Sequence, residues 1–517
     1  MTGIADIVSR NAFLPSGRER VALTLDGGAC SYAALDGRAR RVANAFAGLG
    51  VRARDRVAVL MGNGMAWPEI LFGLSAIGAV CVPVNVLLNG RDVNHVVADS
   101  GAVALVADRV AQGALAGIGA LPVLLVRVGD FEPAAGRGWR DYEALLAAAS
   151  DAPPAHRPLP TDPAMMYYTS GTTGLPKGAV HSQGGILWNS FHQIGDVGLS
   201  RDDVYLLVPS LSWAAGFHDV MLALMWVGGR IAMLPTGGLG IDRIVDAVER
   251  ERATHTLLVP TLLRQLLAAP GALARLRRTR LRRIFTGGEM VPPSVMAAVN
   301  AELPDCRVIQ IYGMSEFPLM MTILDAEEGL AHPERTGRAS SIVTLGVEQA
   351  DGGILAAGSG EVVVRSPATM LGYHGQPEAS ERALRGGWFR TGDTGVIDDE
   401  GFLTLSGRAK DMIISGGMNI YPREIEDLVA KVPGVADVAV VGVPDARWGE
   451  VPVAIVVAPG AGPELDRAVR AACEALSSYK RPKAVLLRGD ALPRTPTGKV
   501  LKRELRPWAE ERLRPGD

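Results

Sequence analysis

The residues best suited to chemistry form one short run: Thr169, Ser170, Gly171, Thr172, Thr173, Gly174, Leu175, Pro176, Lys177 and Gly178, directly after the apolar stretch Ala164 to Tyr168. Small hydroxylated residues and glycines let successive backbone amides converge on an anion with no Cβ in the way. Lys177 adds a mobile point charge of the kind that meets a phosphate. This is not a Walker A loop. Pro176 precedes the lysine where that motif has glycine, and Gly178 follows where Ser or Thr would hold magnesium. The lysine is itself conspicuous, because only seven of the 53 basic residues are lysines: Lys177, Lys410, Lys431, Lys480, Lys483, Lys499 and Lys502. In a chain that otherwise uses arginine, each lysine asks what a forked guanidinium could not do there.

Four further segments carry chemistry-bearing groups. Gly287 and Gly288, followed by Glu289, come after the apolar Ile284 and Phe285, where strand-end glycines could let backbone approach a flat ring; an ordinary strand-to-helix turn is the alternative. Tyr312 to Glu316 reads Tyr-Gly-Met-Ser-Glu, and a carboxylate such as Glu316 suits a hard cation shared with phosphate; a solvated turn residue is the equal alternative. Asp393 follows Gly392, and an ionised carboxylate accepts two neighbouring hydroxyls well. Lys499 ends Pro-Thr-Gly-Lys, an ammonium on a loop near the C-terminus. By contrast, Gly48 to Ala53 matches the spacing of a dinucleotide fingerprint but follows a helical pattern, so it reads as a helix stop.

These groups must be positioned by an α/β scaffold. Ser31 to Gly50 reads as a capped amphipathic helix with Leu35, Val42, Phe46 and Leu49 on one face. Val57 to Met61 reads as a buried strand, and helix-strand alternation to about residue 128 predicts mainly parallel strands. The greasy run Ile70 to Leu88 contains Gly73, Gly78, Pro83 and Asn85 and reads as a buried helix feeding a strand rather than a membrane span. Pro-rich residues 150–163 read as a surface crossing, and a second α/β stretch runs from 164 to about 330. Val362 to Arg365 and Gly401 to Leu405 read as strands of a smaller β-rich unit. From 411 the character changes to a compact α+β domain, with a helix opening at Pro422 and strands at Val438 to Val441 and Val451 to Val457. At 517 residues, 48% hydrophobic and 21% charged, the chain is a multi-core globular protein. A net charge of −2 argues against a dedicated nucleic-acid or anionic-membrane binder. Four scattered cysteines suggest neither a zinc site nor a disulfide framework, and with no signal-peptide pattern at the N-terminus the expectation is a soluble, cytoplasmic protein.

In order and along nearly the whole chain, these motifs resemble the adenylate-forming superfamily of acyl-CoA synthetases, nonribosomal adenylation domains and firefly luciferase. The resemblance implies an α/β fold: a large N-terminal AMP-binding domain, residues 1–409, of stacked α/β subdomains with a small β-barrel-like unit, then a small mobile α+β C-terminal domain, residues 410–517. It implies ATP, Mg2+ and coenzyme A as cofactors, and activation of a carboxylate as acyl-adenylate before transfer to a thiol. Residue by residue, it assigns Thr169 to Gly174 and Lys177 to the phosphates, and Gly287, Gly288 and Glu289 to the adenine region. It sets Tyr312 on adenine, Ser315 on a phosphate, Glu316 on magnesium, and Asp393 and Arg408 on the ribose. Lys410 matches the hinge, Gly417 the pantetheine tunnel, and Lys499 the lysine that serves adenylation before the C-terminal domain swings away.

The acyl pocket departs from the family pattern. Where relatives commonly carry a gating histidine, the segment from Pro209 reads Pro-Ser-Leu-Ser-Trp-Ala-Ala-Gly, placing Trp213 near that position with His218 after the glycine. Ile311 stands where many relatives have glycine, which would shorten the pocket. Only His218 and Asp219 titrate between Leu211 and Met225, so an apolar acid (medium-chain, alicyclic or aromatic) fits better than a dicarboxylate or amino acid. The expected function is an acyl-CoA ligase acting on small molecules, with no nucleic acid or membrane-span partner and with a homodimer compatible. A stand-alone enzyme that loads a carrier protein, and a non-catalytic nucleotide-binding relative, are the alternatives.

Overall fold

The computed structural model describes every residue except 1, 120–121, 123, 135–137, 170–175, 238–239, 289–290, 409–410, 416–417, 446, 459–462, 495–499 and 514–517. The chain divides into two compact units, Met1–Thr344 with Val364–Phe389, and Leu345–Val363 with Arg390–Asp517. The boundary expected at 409/410 therefore falls inside the second unit, because the strands on either side of residue 400 cluster with the C-terminal residues.

In the first unit, Ser31 caps the helix Tyr32–Gly48 by accepting from Ala34 N at 3.2 Å. This helix packs on the helix Ala66–Ala76. The approach is close enough that a Cβ on Gly73 would lie 2.6 Å from the Val42 side chain. The greasy run accordingly becomes the end of one buried helix and the strand Val80–Pro83. Among the described residues no helix is long and apolar enough to cross a membrane.

That strand belongs to an eight-stranded sheet in the order Gly372–Tyr373, Lys177–Ser182, Pro163–Thr169, Val80–Pro83, Arg56–Leu60, Ala104–Asp108, Leu124–Val128, Arg140–Asp141. The strands from Val80–Pro83 to Arg140–Asp141 run parallel and the pair Pro163–Thr169 and Lys177–Ser182 is an antiparallel hairpin. Parallel strands are buried on both faces, which is why they read as unbroken apolar runs.

The second sheet of this unit places Gly337–Ala339, Phe317–Leu324, Arg307–Met314, Arg283–Gly287, His255–Leu257, Val204–Leu207, Arg230–Met233, Val21–Leu25 and Gly28–Ser31 side by side. The six central strands are parallel. Against them packs the amphipathic helix Ile241–Glu251, whose Ile244, Val245 and Val248 meet Leu206, Ala232, Ile284 and Val308 in one core.

The small β-rich element is the run of adjacent strands Ile354–Leu355, Thr344–Glu348, Gly358–Arg365, Phe389–Ile397 and Phe402–Arg408. The α+β part of the second unit is a five-stranded sheet around the hairpin Asp437–Asp445 and Gly449–Val457. Alternate residues of that hairpin enter two separate cores. Val440, Ala454 and Val456 pack with Ile425, Val429 and Val469. Ala439, Val441, Val453 and Ile455 pack with Leu492, Leu505 and Ala509. Both faces are covered, so its valine-rich strands show no polar alternation.

Candidate active site

Thr169 and Lys177 are register partners at the loop end of the hairpin Pro163–Thr169 and Lys177–Ser182. Two paired strand ends thus anchor the glycine-rich run, and Lys177 leaves a strand rather than a free coil. Beside it, the short strand Gly372–Tyr373 pairs antiparallel with the hairpin, Tyr373 opposite Ala179. Lys177 Nζ lies 5.2 Å from the centroid of the Tyr373 ring. A cation over an aromatic face is held without being neutralised by a carboxylate. The Tyr373 hydroxyl in turn donates to Glu316 Oε1 at 3.3 Å.

Glu316 reaches this point from the second sheet. Met314 and Phe317 pair across two antiparallel strands, so Ser315 and Glu316 are the two loop residues of a tight hairpin. His181 clamps that turn by donating from Nε2 to Ser315 O at 2.8 Å, and Glu316 O accepts from Met370 N. Burial pushes the His181 pKa down to about 4, so the clamp is a neutral imidazole and adds no charge. The hairpin carrying Lys177 and the turn carrying Ser315 and Glu316 are joined through Tyr373 and His181. Together they present one ammonium, one carboxylate and hydroxyl donors, a set suited to a phosphate chain with its cation.

Tyr312 lies on the strand Arg307–Met314, three residues before that turn and opposite Thr322. The neighbouring parallel strand ends at Gly287, paired with Ile311. A Cβ on Gly287 would lie 2.5 Å from Ile311 O, so the strands close here only on a glycine; Gly288 follows at φ +86°. A Cβ on Gly288, by contrast, would meet no described atom within 4 Å.

In the second unit, Asp393 and Arg408 are register partners on adjacent antiparallel strands. Arg408 Nε donates to Asp393 Oδ1 at 2.7 Å. Asp393 is buried, and its strand is fixed by Thr391 Oγ1 donating to Val362 O and by Gly392 N donating to Glu361.

Of the residues expected at an acyl pocket, His218 ends a short helix, Ala214–His218, and Trp213 is its N-cap. This helix packs against the strand Phe317–Leu324, which pairs with Ile311 through Ile323. His218 and Ile311 are buried and Trp213 is half-buried. His218 Nε2 sits 3.0 Å from the Tyr167 hydroxyl.

A family model described as AMP-binding enzyme matches residues 14–374, and one described as AMP-binding enzyme C-terminal domain matches residues 424–499. The chain belongs to the AMP-binding enzyme family. It is 36% identical over 508 residues to an indoleacetate–CoA ligase of Aromatoleum aromaticum, covering 97% of each chain. It is 36% identical over 485 residues to a feruloyl-CoA synthase of an Amycolatopsis species, covering 93% of this chain and 94% of that one. The ATP-bound crystal structure of MatB from Rhodopseudomonas palustris superposes with a TM-score of 0.85 at 28% identity, over 99% of this chain and 100% of that one.

Within this AMP-binding enzyme, Thr169, Lys177, Gly287, Gly288, Tyr312, Ser315, Glu316, Asp393, Arg408, Trp213, His218 and Ile311 have described positions. Ser170, Gly171, Thr172, Thr173, Gly174, Glu289, Lys410, Gly417 and Lys499 lie outside the described residues. Sequence reasoning missed Tyr373 and His181, which join the two hairpins. Tyr373 follows Gly372 in a strand of two residues, too short to read from pattern, and His181 is a lone histidine in an apolar run. Lys480 and Lys502 pair with Glu424 at 2.8 Å and Glu426 at 2.6 Å on the helix Pro422–Val429.

Proposed function

We propose that the chain is an AMP-forming acid–thiol ligase: it activates a largely apolar carboxylic acid with ATP as the acyl-adenylate and transfers the acyl group to coenzyme A. The observation that carries this reading is the meeting of Lys177, Tyr373 and Glu316 at the foot of the glycine-rich loop, in a chain whose relatives include an indoleacetate–CoA ligase and a feruloyl-CoA synthase.

In this reading, amides of the loop from Thr169 to Gly174 and the Lys177 ammonium hold the phosphates, with Ser315 adding a hydroxyl. Asp393, steadied by Arg408, accepts the ribose hydroxyls. Tyr312 and the backbone at Gly287 and Gly288, with Glu289, receive adenine. The donor set also fits magnesium. That ion takes one or two carboxylates with substrate phosphates and keeps its waters, and Glu316 is a single half-buried carboxylate whose partner here is a neutral phenol. Bound there, the ion would offset phosphate charge. The substrate carboxylate attacks the α-phosphorus and pyrophosphate leaves. Lys499 stabilises the charge that develops on the oxygens between them, where a positioned donor counts most. In the second step the coenzyme thiolate, passing Gly417, attacks the acyl carbon and AMP leaves; Lys410 serves as the pivot between the steps.

Separate assays of the two half-reactions test this. Lys499→Ala is expected to slow pyrophosphate release by roughly a hundredfold or more, while thioester formation from supplied acyl-adenylate survives. Equal loss in both would remove the role given to Lys499. A panel of carboxylic acids with free coenzyme A is expected to give thioester with monocarboxylic apolar acids. Turnover only with dicarboxylates or amino acids, or only with a pantetheinyl carrier protein, would replace the reading.

A further inference from the structure

The apolar acyl side contains a buried polar knot that the adenylation chemistry does not use. Val220, a β-branched residue, sits at φ +73° and ψ −41°, in a region such residues almost never occupy. Asp219 O accepts from Met221 N at 3.0 Å across it, so Val220 is the centre of the rarer, strained form of γ-turn. The helix Gln183–Val197 holds this turn from behind. Gln193 Oε1 accepts from Val220 N at 2.8 Å, and Gln193 Nε2 donates to His218 O at 2.6 Å and to Asn189 Oδ1 at 2.9 Å. Asn189 also bonds His218 O and His192, and His192 reaches Asp196.

On the side of that helix, then, the network is satisfied. Other polar atoms of the turn and its neighbours are not. His218 Nδ1, Asp219 Oδ1 and the Tyr205 hydroxyl are buried without a hydrogen-bond partner among the described residues, and Trp213 Nε1 at the start of the same short helix is another. His218 is joined to Tyr167 through its other nitrogen, and Tyr167 and Tyr205 both lie within electrostatic reach of Asp219. Strain held in place by an otherwise satisfied network, with unmet buried polar atoms on and beside the same turn, is the pattern of a site that expects a ligand.

We propose that His218 and Asp219, held by Gln193, form a polar end-stop in the acyl pocket, and that the preferred acid carries a neutral hydrogen-bond donor, a hydroxyl or N–H, at the end remote from its carboxylate. This rests on the assignment of Trp213 and His218 to the acyl pocket. A hydroxyl satisfies the cluster whichever tautomer His218 adopts, because it both donates and accepts. Burial, with His181 nearby, pushes the His218 pKa down to about 3, and burial pushes Asp219 up to about 7. The imidazole is thus neutral, which favours hydrogen bonding over an ionic tail. A hydrocarbon end would leave Asp219 and His218 desolvated and unpaired, and sites of this kind discriminate strongly against the analogue that lacks the polar group.

Matched acids test it: hydrocinnamic acid against its para- and meta-hydroxy counterparts, and octanoic against ω-hydroxyoctanoic acid, followed by pyrophosphate release. The expected result is at least about a tenfold higher kcat/KM for one hydroxylated member in the full-length enzyme. The preference should fall below about threefold in Asp219→Leu and survive in part in Asp219→Asn. A wild-type ratio near unity for every pair overturns the proposal, as does an unchanged ratio in Asp219→Leu. If Asp219→Leu does not fold, the wild-type ratios and Asp219→Asn still decide. No release with any acid would overturn the ligase reading instead; calorimetric binding of the same pairs then judges the end-stop separately, and equal affinities overturn it.

Discussion

At the scale of residues, the scarcity of lysine turns into chemistry at Lys177, whose ammonium lies over Tyr373 and faces no carboxylate partner among the described residues. A guanidinium is wider and planar and would not reproduce a compact charge on a flexible stem. Lys177→Arg is expected to lower kcat/KM for ATP by at least about tenfold, and Lys431→Arg to change it by less than about twofold; steady-state kinetics with saturating acid would show this. Tyr373→Phe keeps the ring under Lys177 and removes only the hydroxyl aimed at Glu316, so the KM for ATP and its magnesium dependence should change more than expression or melting temperature. Asp219 supplies a pH signature. Its carboxyl is raised by burial from 3.8 to about 7, so between those values the native chain holds a proton that the unfolded chain has lost. Stability from this group is therefore lost as pH rises from about 4 to about 7 and is flat above that. Asn cannot titrate. Asp219→Asn should gain on wild type across that window by about 1–3 kcal/mol, given roughly 1.4 kcal/mol for each pH unit between the two values and some structural relaxation. Denaturant melts at several pH values measure the difference, in which the opposing contributions of His181 and His218 cancel.

At the scale of elements, each unit carries its candidate residues on strand ends. Thr169 and Lys177 close one hairpin, Ser315 and Glu316 turn another, and Asp393 and Arg408 face each other across a third pair. Strands fix such groups more tightly than loops can, since register sets which residues are opposite. The motifs were legible because hydroxyl-, glycine- and charge-rich runs interrupt apolar strands, but their partners were not. Register cannot be read from Asp393 and Arg408 fifteen residues apart, and nothing in the pattern announces that His181 clamps Ser315. Gly287 shows the same limit from the other side. As a turn glycine it carried little information; against Ile311 it is a steric necessity. Gly287→Ala would force a Cβ to within 2.5 Å of Ile311 O, and should destabilise the chain by about 1–3 kcal/mol and weaken nucleotide binding, read by urea melts and ATP titration.

At the scale of the whole molecule, the two divisions of the chain can be separated by experiment. Among the described residues, the two cores of the last hundred or so positions are built between Ile413 and Ala509, which predicts that a fragment of residues 411–517 folds alone with a single cooperative urea transition. Non-cooperative melting would mean that this segment needs the strands at 345–363 and 390–408, with which it clusters. The sequence by itself determined the α/β class, the order of the nucleotide motifs and the family. Those depend on local composition and spacing, which survive without coordinates. Only the tertiary structure decided that Tyr373 and His181 join two hairpins, that Lys480 and Lys502 are paired, and that strained Val220 presents unmet polar atoms from His218 and Asp219. These depend on which distant segments meet, and burial and register are set by packing between segments that no local pattern records.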